Sequence, residues 1–360
     1  MRDQQTKAKN SVYIIMISLF LSLSLLPVLS MFFLGETQAS ANEILASRPK
    51  LINRDGSFNK NVLNDVSDYL ADRFAFRKQL VTAWAELNAS LFHTSSEEQV
   101  VLGTDGWLYY SPTLDDYMGR SMSDEELDHA AAFLASLQRA SESRGARFVF
   151  TIAPNKNSLY AENMPAHIPE NHVESNAEKL KPYLEKYSVN YIDLFSAFSG
   201  RGEVLYYHTD SHWTERGAAL AADVLINGFD KQSDYYDGPF SAGEPHQGDL
   251  YEMLYPTGKG KEASLHFAPG FEYTLSGDPN GGNALKINAS CEGREGELLC
   301  WRDSFGISLY PYLADSFSKA TFLRSTSYDP AAIDEAGADA VLLEIVERNL
   351  SLLADRELLD

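Results

Sequence analysis

Cysteine is almost missing from this chain, and positive charge is scarce. Among 360 residues there are two cysteines, Cys291 and Cys300, so a multi-disulfide framework is excluded and at most one bridge can form. A bridge across so short a loop would stabilise by ~2–3 kcal/mol in the chain-entropy model. Two buried thiols are the plainer alternative. Thirty Lys and Arg face 51 Asp and Glu, a formal net charge of -21. That argues against a nucleic-acid partner, because phosphate binding needs a basic surface. It also argues against tight binding of the globular part to anionic headgroups, and it serves solubility. Internal repeats and low-complexity tracts are absent. What the chain does have is apolar material, 44% hydrophobic and 12% aromatic, enough for a sizeable core, so disorder is not expected.

One long apolar run stands out. Ser11 to Leu34 contains no charged residue and, at ~1.5 Å per residue, is long enough for a bilayer core of ~30 Å. Arg2, Lys7 and Lys9 precede it against the single acid Asp3, which predicts a cytoplasmic N-terminus and an extracytoplasmic remainder, in the periplasm or at the cell surface. Ala39-Ser40-Ala41 fits a small-x-small cleavage site, but the apolar run exceeds the ~7–15 residues of a cleavable signal peptide. The expected organisation is therefore a cytoplasmic 1–10, a transmembrane signal anchor at 11–34, a linker at 35–59 and one domain over 60–360.

Within that domain, Val62, Leu63, Val66, Tyr69, Leu70 and Phe74, then Leu80, Trp84, Leu87 and Leu91, recur at helical steps. Short strands are predicted at 100–102, 107–110 and 191–194, a buried one at 147–154, and further strands at 298–301, 320–323 and 340–346. Helices are predicted from Ser123, which opens a capping box, and over 176–187, from Thr214, over 306–317 and over 330–335. This alternation predicts an α/β sandwich with a mostly parallel sheet. Residues 229–286, rich in Gly, Asp and Pro, break the pattern and read as a lid or substrate-binding insertion.

Ligands bind at the C-terminal edge of the strands in such a sheet. Three candidates fall there: Lys156, the Asp210/His212 loop and Ser304. Ser304 sits between a strand and a helix, where free backbone N–H groups stabilise an oxyanion and Gly306 lets a substrate approach. A serine nucleophile needs a base, which His212 supplies, with Asp210 to orient the imidazole. Each residue alone has a plainer reading as a helix cap or a core residue; together at one edge they favour a triad. His208-x-Asp210-x-His212 could present three ligands to a metal on a strand, but no further ligand cluster accompanies it, so no metal and no other cofactor is expected. His208 and Lys156 are candidates to line the substrate site. Tyr310 is read either as a sugar-stacking residue or as core. Arg302 is a charge needing a partner, with Asp210, Asp303 and Glu344 as candidates.

Asp210-Ser211-His212-Trp213 resembles the Asp-x-His-Trp signature of the AlgX/AlgJ-type proteins, the alginate O-acetyltransferase group of the SGNH hydrolase-like superfamily. Gly103-Thr104-Asp105-Gly106-Trp107-Leu108-Tyr109 is similar to that group's Gly-x-Asp-Gly-Trp-Leu segment, and Pro154-Asn155-Lys156 to its Pro-x-Lys turn. Arg73 to Arg77 and Glu344 to Arg348 also match, so the resemblance spans roughly 65–350. The serine block departs most, with Arg302 where a small residue is common. The match is closer to the anchored, single-domain members. The resemblance implies an SGNH-hydrolase-like three-layer sandwich. It also implies acetyl transfer through Ser304, His212 and Asp210 onto hydroxyls of an exopolysaccharide or cell-wall glycan, with a membrane-bound O-acyltransferase as acetyl donor. An SGNH-type carbohydrate acetyl-esterase and a non-catalytic glycan-binding assembly subunit are the alternatives; Lys156, His208, Arg302 and Tyr310 are the candidate substrate contacts.

Overall fold

The computed structural model describes residues 2–39, 45–170, 174–276 and 283–359. The chain divides into two compact units, residues 1–97 with 252–259, and residues 98–251 with 260–360.

The first unit opens with α1 (Arg2–Leu34), within which Val12–Met31 is long and apolar enough, at mean hydropathy 2.5, to cross a membrane; none of that segment is buried. The helical steps further on become two helices, α2 (Val62–Arg73) and α3 (Arg77–Phe92). They break at Phe76, whose φ of 66° lies in the left-handed region that bulky side chains rarely enter.

In the second unit, β1 (Val100–Leu102) and β2 (Leu108–Tyr110) form a hairpin, followed by α4 (Leu114–Tyr117). Helix α5 (Asp124–Glu142) starts with the expected capping box between Ser123 and Glu126. Then come β3 (Arg147–Ala153), α6 (Lys156–Leu159), α7 (Asn176–Lys186), β4 (Tyr191–Ile192), α8 (Leu194–Phe198) and α9 (Glu215–Gly228). Next are β5 (Phe240–Ala242), α10 (Asp249–Leu254), β6 (Leu265–Phe267), β7 (Thr274–Ser276) and β8 (Lys286–Ser290). The chain closes with β9 (Glu297–Trp301), α11 (Gly306–Ser316), β10 (Lys319–Leu323), α12 (Ala331–Ala336), β11 (Ala340–Val346) and α13 (Ser351–Ala354).

The main sheet runs β4-β3-β11-β9-β10-β8-β7. From β4 to β10 the neighbours are parallel; β8 pairs antiparallel with β10, and β7 antiparallel with β8. The period-2 alternation of a strand sorts its side chains onto two faces. Val149, Cys300, Leu342 and Val346 pack with α8, α9 and α11. Phe148, Phe150, Leu299, Trp301, Leu343 and Ile345 pack with α5, α7, α12 and α13. The result is the three-layer SGNH-like sandwich that the sequence predicts. Two details differ. The strand expected at 191–194 stops at Ile192, because the Asp193 carboxylate caps α8 by accepting from the Ser196 N–H. The stretch 229–286 is not wholly an insertion, since β7 at its end extends the sheet edge.

Candidate active site

Ser304 follows β9 and precedes α11, and the turn is held by Asp303. One Asp303 oxygen accepts the Phe305 N–H at 2.8 Å; the other accepts the Val346 N–H at 2.7 Å, at the end of β11. The Asp303 N–H in turn donates to Glu344 Oε2 at 3.1 Å. The serine turn is thus pinned across the sheet to the neighbouring strand. Because the Phe305 N–H is spent on Asp303, it is not one of the amides left for an oxyanion.

The Asp210/His212 loop is a short excursion whose stems meet at an antiparallel bridge between Tyr206 and Trp213. Thr214 caps α9 as expected, accepting from the Gly217 N–H at 3.2 Å. The Trp213 indole donates to Ser308 Oγ on α11 at 2.8 Å, which ties the loop to the serine's own helix. Phe305 lies beneath the imidazole, its ring centroid 4.8 Å from that of His212.

These constraints bring the predicted residues together. His212 Nε2 is 2.9 Å from Ser304 Oγ, and His212 Nδ1 is 2.7 Å from Asp210 Oδ1. Ser304 therefore points its hydroxyl at an imidazole rather than capping α11. Asp210 is buried, and it takes more than the one hydrogen bond expected of it. His246 Nε2 lies 2.8 Å from Oδ2, and the backbone N–H groups of His212 and Asp249 donate at 2.9 and 3.0 Å. Burial works against the Asp210 charge, yet the hydrogen bonds from both imidazoles hold its pKa well below the ordinary aspartate value. Burial also opposes protonation of His212, but the hydrogen bond and charge of Asp210 prevail and raise its pKa.

His246 and Asp249 were not found by reading the sequence. Asp249 accepts from the Ser211 N–H at 2.7 Å and the Ser211 hydroxyl at 2.6 Å, and its Oδ2 lies 3.5 Å from His212 Nδ1. Burial and the nearby Asp210 charge raise its pKa. Both residues come from the 229–286 stretch, a Gly- and Pro-rich segment in which a histidine carries no periodic signal. The one available cue was Gly248. A Cβ there would sit 2.1 Å from the Thr209 carbonyl oxygen, so only glycine permits that backbone to press against the loop.

The other predicted residues land elsewhere. Lys156 is buried and reaches no open surface. Its ammonium donates to the carbonyls of Tyr207, His208 and Asp210 at 3.1, 3.0 and 2.6 Å. Three N–H bonds meet three carbonyls, so Lys156 positions the loop instead of contacting substrate. Trp107 and Tyr109 flank it, the ammonium lying 5.6 and 5.2 Å from their ring centroids, which accounts for the Gly-Trp-Leu-Tyr segment. His208 is exposed, its ring lies tilted against Trp107 with centroids 4.4 Å apart, and it stands outside the group of Asp210, His212 and Asp249, whose polar atoms lie within 4.8 Å of one another. The strand-like three-ligand arrangement does not form. Arg302 is buried; its guanidinium donates to the carbonyls of Asp303 and Ala284 at 3.1 and 3.0 Å. Its aliphatic part occupies the space beside Gly306, where a Cβ would come within 2.5 Å of Arg302 Cδ. The glycine therefore admits Arg302, not substrate. Tyr310 is core, packed against Phe322 and Tyr273. Cys291 and Cys300 are both buried free thiols.

Fold and side-chain geometry define the class: an SGNH hydrolase-like fold with a Ser-His-Asp arrangement at the C-terminal edge of its sheet. Residues 100–274 match the family model described as the SGNH hydrolase-like domain of acetyltransferase AlgX, and the chain is similar in sequence to AlgJ proteins. It is 28% identical over 157 residues to the "Probable alginate O-acetylase AlgJ" of Pseudomonas syringae pv. tomato, covering 43% of this chain and 39% of that protein. To the protein of the same description from Pseudomonas fluorescens it is 26% identical over 208 residues, covering 52% and 49%. The chain thus spans less than half the length of these relatives. Among solved structures, Bacillus cereus PatB1 is similar at TM-score 0.55 and 19% identity, over 71% of this chain and 98% of that one. A DHHW family protein from Eubacterium siraeum is similar at TM-score 0.53 and 17% identity, over 72% and 95%. These two likenesses concern the fold.

Proposed function

We propose that this chain is a membrane-anchored, extracytoplasmic O-acetyltransferase. It moves an acetyl group through Ser304 onto hydroxyls of an exopolysaccharide or cell-wall glycan. The observation that carries the reading is the unbroken line Ser304 Oγ, His212 Nε2, His212 Nδ1, Asp210 Oδ1, with links of 2.9 and 2.7 Å. In the first half-reaction His212 takes the Ser304 proton as the oxygen attacks the acetyl carbonyl. The resulting imidazolium, steadied by Asp210, then protonates the leaving group, and an acetyl-serine ester remains. In the second, His212 takes the proton of a sugar hydroxyl, the sugar oxygen displaces Ser304, and the imidazolium returns the proton to the serine. No step needs a metal or redox cofactor.

The relatives described as alginate O-acetylases make alginate an acceptor to try first. A membrane-bound O-acyltransferase is the proposed acetyl source, and α1 as an uncleaved anchor would hold the enzyme beside it and raise its local concentration. The test is intact mass of the full chain after incubation with p-nitrophenyl acetate, with and without oligosaccharide, beside Ser304→Ala. A gain of one acetyl group that Ser304→Ala abolishes, with acetate passing to sugar faster than to water, supports the transferase. Release to water alone supports the esterase. A folded protein that neither labels nor turns over leaves the binding-subunit reading.

A further inference from the structure

Helix α3 is built inside out. Phe76, just before it, and Leu80, Trp84, Leu87 and Leu91 along it recur at steps of three and four residues and so share one face. That spacing is the mark of a helix facing a core, yet these side chains are 49, 52, 57, 44 and 64% exposed. The residues that α3 buries are small, Thr82 and Ala85, and they lie on the opposite side. A continuous line of large apolar side chains turned to water forfeits the burial that its pattern is made for, and such patches mark sites of association.

We propose that this stripe lies in the headgroup–acyl boundary of the same bilayer that α1 crosses, so that the first unit is held to the membrane along α3 as well as by its anchor. The proposal rests on reading α1 as a membrane span. Three observations favour lipid over a protein partner. The stripe belongs to the same compact unit as α1, which brings it to a membrane surface whatever else binds. Two features suit a membrane interface: Trp84 lies within the apolar line, and Arg77 and Lys78 stand at its N-terminal end. Its area is small, because five half-exposed side chains on one helical line fall well short of the ~800 Å² per partner of a stable protein interface. A tethered unit needs little additional affinity to stay down, since tethering already supplies a high effective concentration. The chain's acidity is no obstacle, because the stripe is uncharged and inserts by apolar burial.

The test uses the full chain in phosphatidylcholine nanodiscs, with an environment-sensitive fluorophore at single introduced cysteines. Leu87→Cys and Leu91→Cys report the stripe, Gln79→Cys and Glu86→Cys its flank, and Ser22→Cys the anchor; Cys291 and Cys300 are buried, and the unsubstituted protein measures their background labelling. The expected result is strong quenching of the stripe positions by doxyl-labelled lipid and weak quenching by aqueous iodide, with the order reversed at the flank. Iodide quenching of stripe and flank alike would overturn the proposal in favour of open water. Shielding of the stripe from both quenchers would overturn it in favour of a protein cover, either a second copy or a membrane partner. If the label at Ser22 also escapes the lipid quencher, the anchor reading fails and takes the proposal with it. Lipid quenching at Ser22 alone refutes the stripe while leaving the anchor in place.

Discussion

Replacing His246 separates its two contributions to the site. Phenylalanine keeps a ring against Tyr207, where the histidine now stacks at 4.2 Å, but donates nothing. Glutamine donates but does not titrate. Asp210 accepts four N–H groups at 2.7, 2.8, 2.9 and 3.0 Å, and His246→Phe removes one of them. A hydrogen bond to an ionised group contributes ~1.5–3 kcal/mol. If most of that supports the charge facing the imidazolium, kcat/KM falls by ~10–100-fold, and His246→Gln recovers most of the loss. The pH profile provides the second readout. Burial opposes protonation of His246, but the hydrogen bond and charge of Asp210 raise its pKa above the ordinary value; Tyr207, Asp249, Glu262 and Glu215 are its other ionisable neighbours. Below that pKa the His246 cation draws on the Asp210 charge and leaves His212 a weaker base. Above it the neutral His246 ring still donates to Asp210 but no longer competes with His212 as a charge. The wild-type acid limb therefore combines two linked protonations, while that of His246→Gln follows one. A histidine with a raised folded pKa contributes stability that is fully present below its unfolded value of ~6.5 and is lost as pH rises through the folded pKa. The melting-temperature advantage of wild type over His246→Gln should thus shrink across that window. Hydrolysis of p-nitrophenyl acetate from pH 5 to 9 and thermal melts over the same range measure both effects. An unchanged kcat/KM in His246→Phe, with an acid limb superimposable on wild type, would refute this reasoning, because Asp210 would then be held without His246.

Lys156→Met leaves the carbonyls of Tyr207, His208 and Asp210 without their shared donor and should destabilise by ~2–3 kcal/mol at pH 7, about 1 kcal/mol per acceptor, read as a lower melting temperature. Burial lowers the Lys156 pKa to about 7 from an ordinary 10.5. Between those values the unfolded chain binds more protons than the folded one, so the stability of wild type relative to Lys156→Met should rise with pH across the window; a flat difference contradicts the assignment. Burial, followed by the Asp303 charge, pushes the Glu344 carboxyl well above the ordinary value, which favours its neutral form. Glu344→Gln should cost less than ~1 kcal/mol, whereas Glu344→Ala, which strips the Asp303 N–H of its acceptor and opens a gap, should cost ~2–4 kcal/mol in denaturant melts.

The sheet was legible because its central strands are short apolar runs, and β3, β9, β10 and β11 lie where the pattern puts them. The edge was not: β7, Thr274 to Ser276, is exposed at every residue and carries no alternation to detect. The Ser304, His212 and Asp210 constellation was legible from residue type and from position at the strand ends. The roles of the cations were not, because an ion's role depends on what meets its charge in space. Lys156 and Arg302, read as substrate contacts, turn out to satisfy buried carbonyls. Nothing local to Lys156 announces that its partners lie at 207, 208 and 210, and nothing local to His246 announces Asp210.

The loop that carries the acid and the base has almost no secondary structure, yet its backbone is nearly fully committed. The N–H groups of His208 and Thr209 donate to Glu262 at 2.9 and 3.0 Å, and that of Ser211 to Asp249 at 2.7 Å. The Tyr207, His208 and Asp210 carbonyls accept from Lys156, and the Thr209 carbonyl accepts from the Tyr251 N–H at 3.1 Å. Charged side chains thus do for this loop what a ladder of neighbouring strands does for a sheet. The arrangement suits a relay. An imidazole that must meet a serine on one side and a carboxylate on the other tolerates little drift, and a loop with most of its backbone polar atoms paired has few alternative conformations to visit. It also explains why the 229–286 stretch is built against this loop. Glu262, Asp249 and His246 come from it, so the relay depends on these three side chains being in place, and a substitution as remote from the serine as Gly248→Ala should impair turnover by lifting Thr209 away from it.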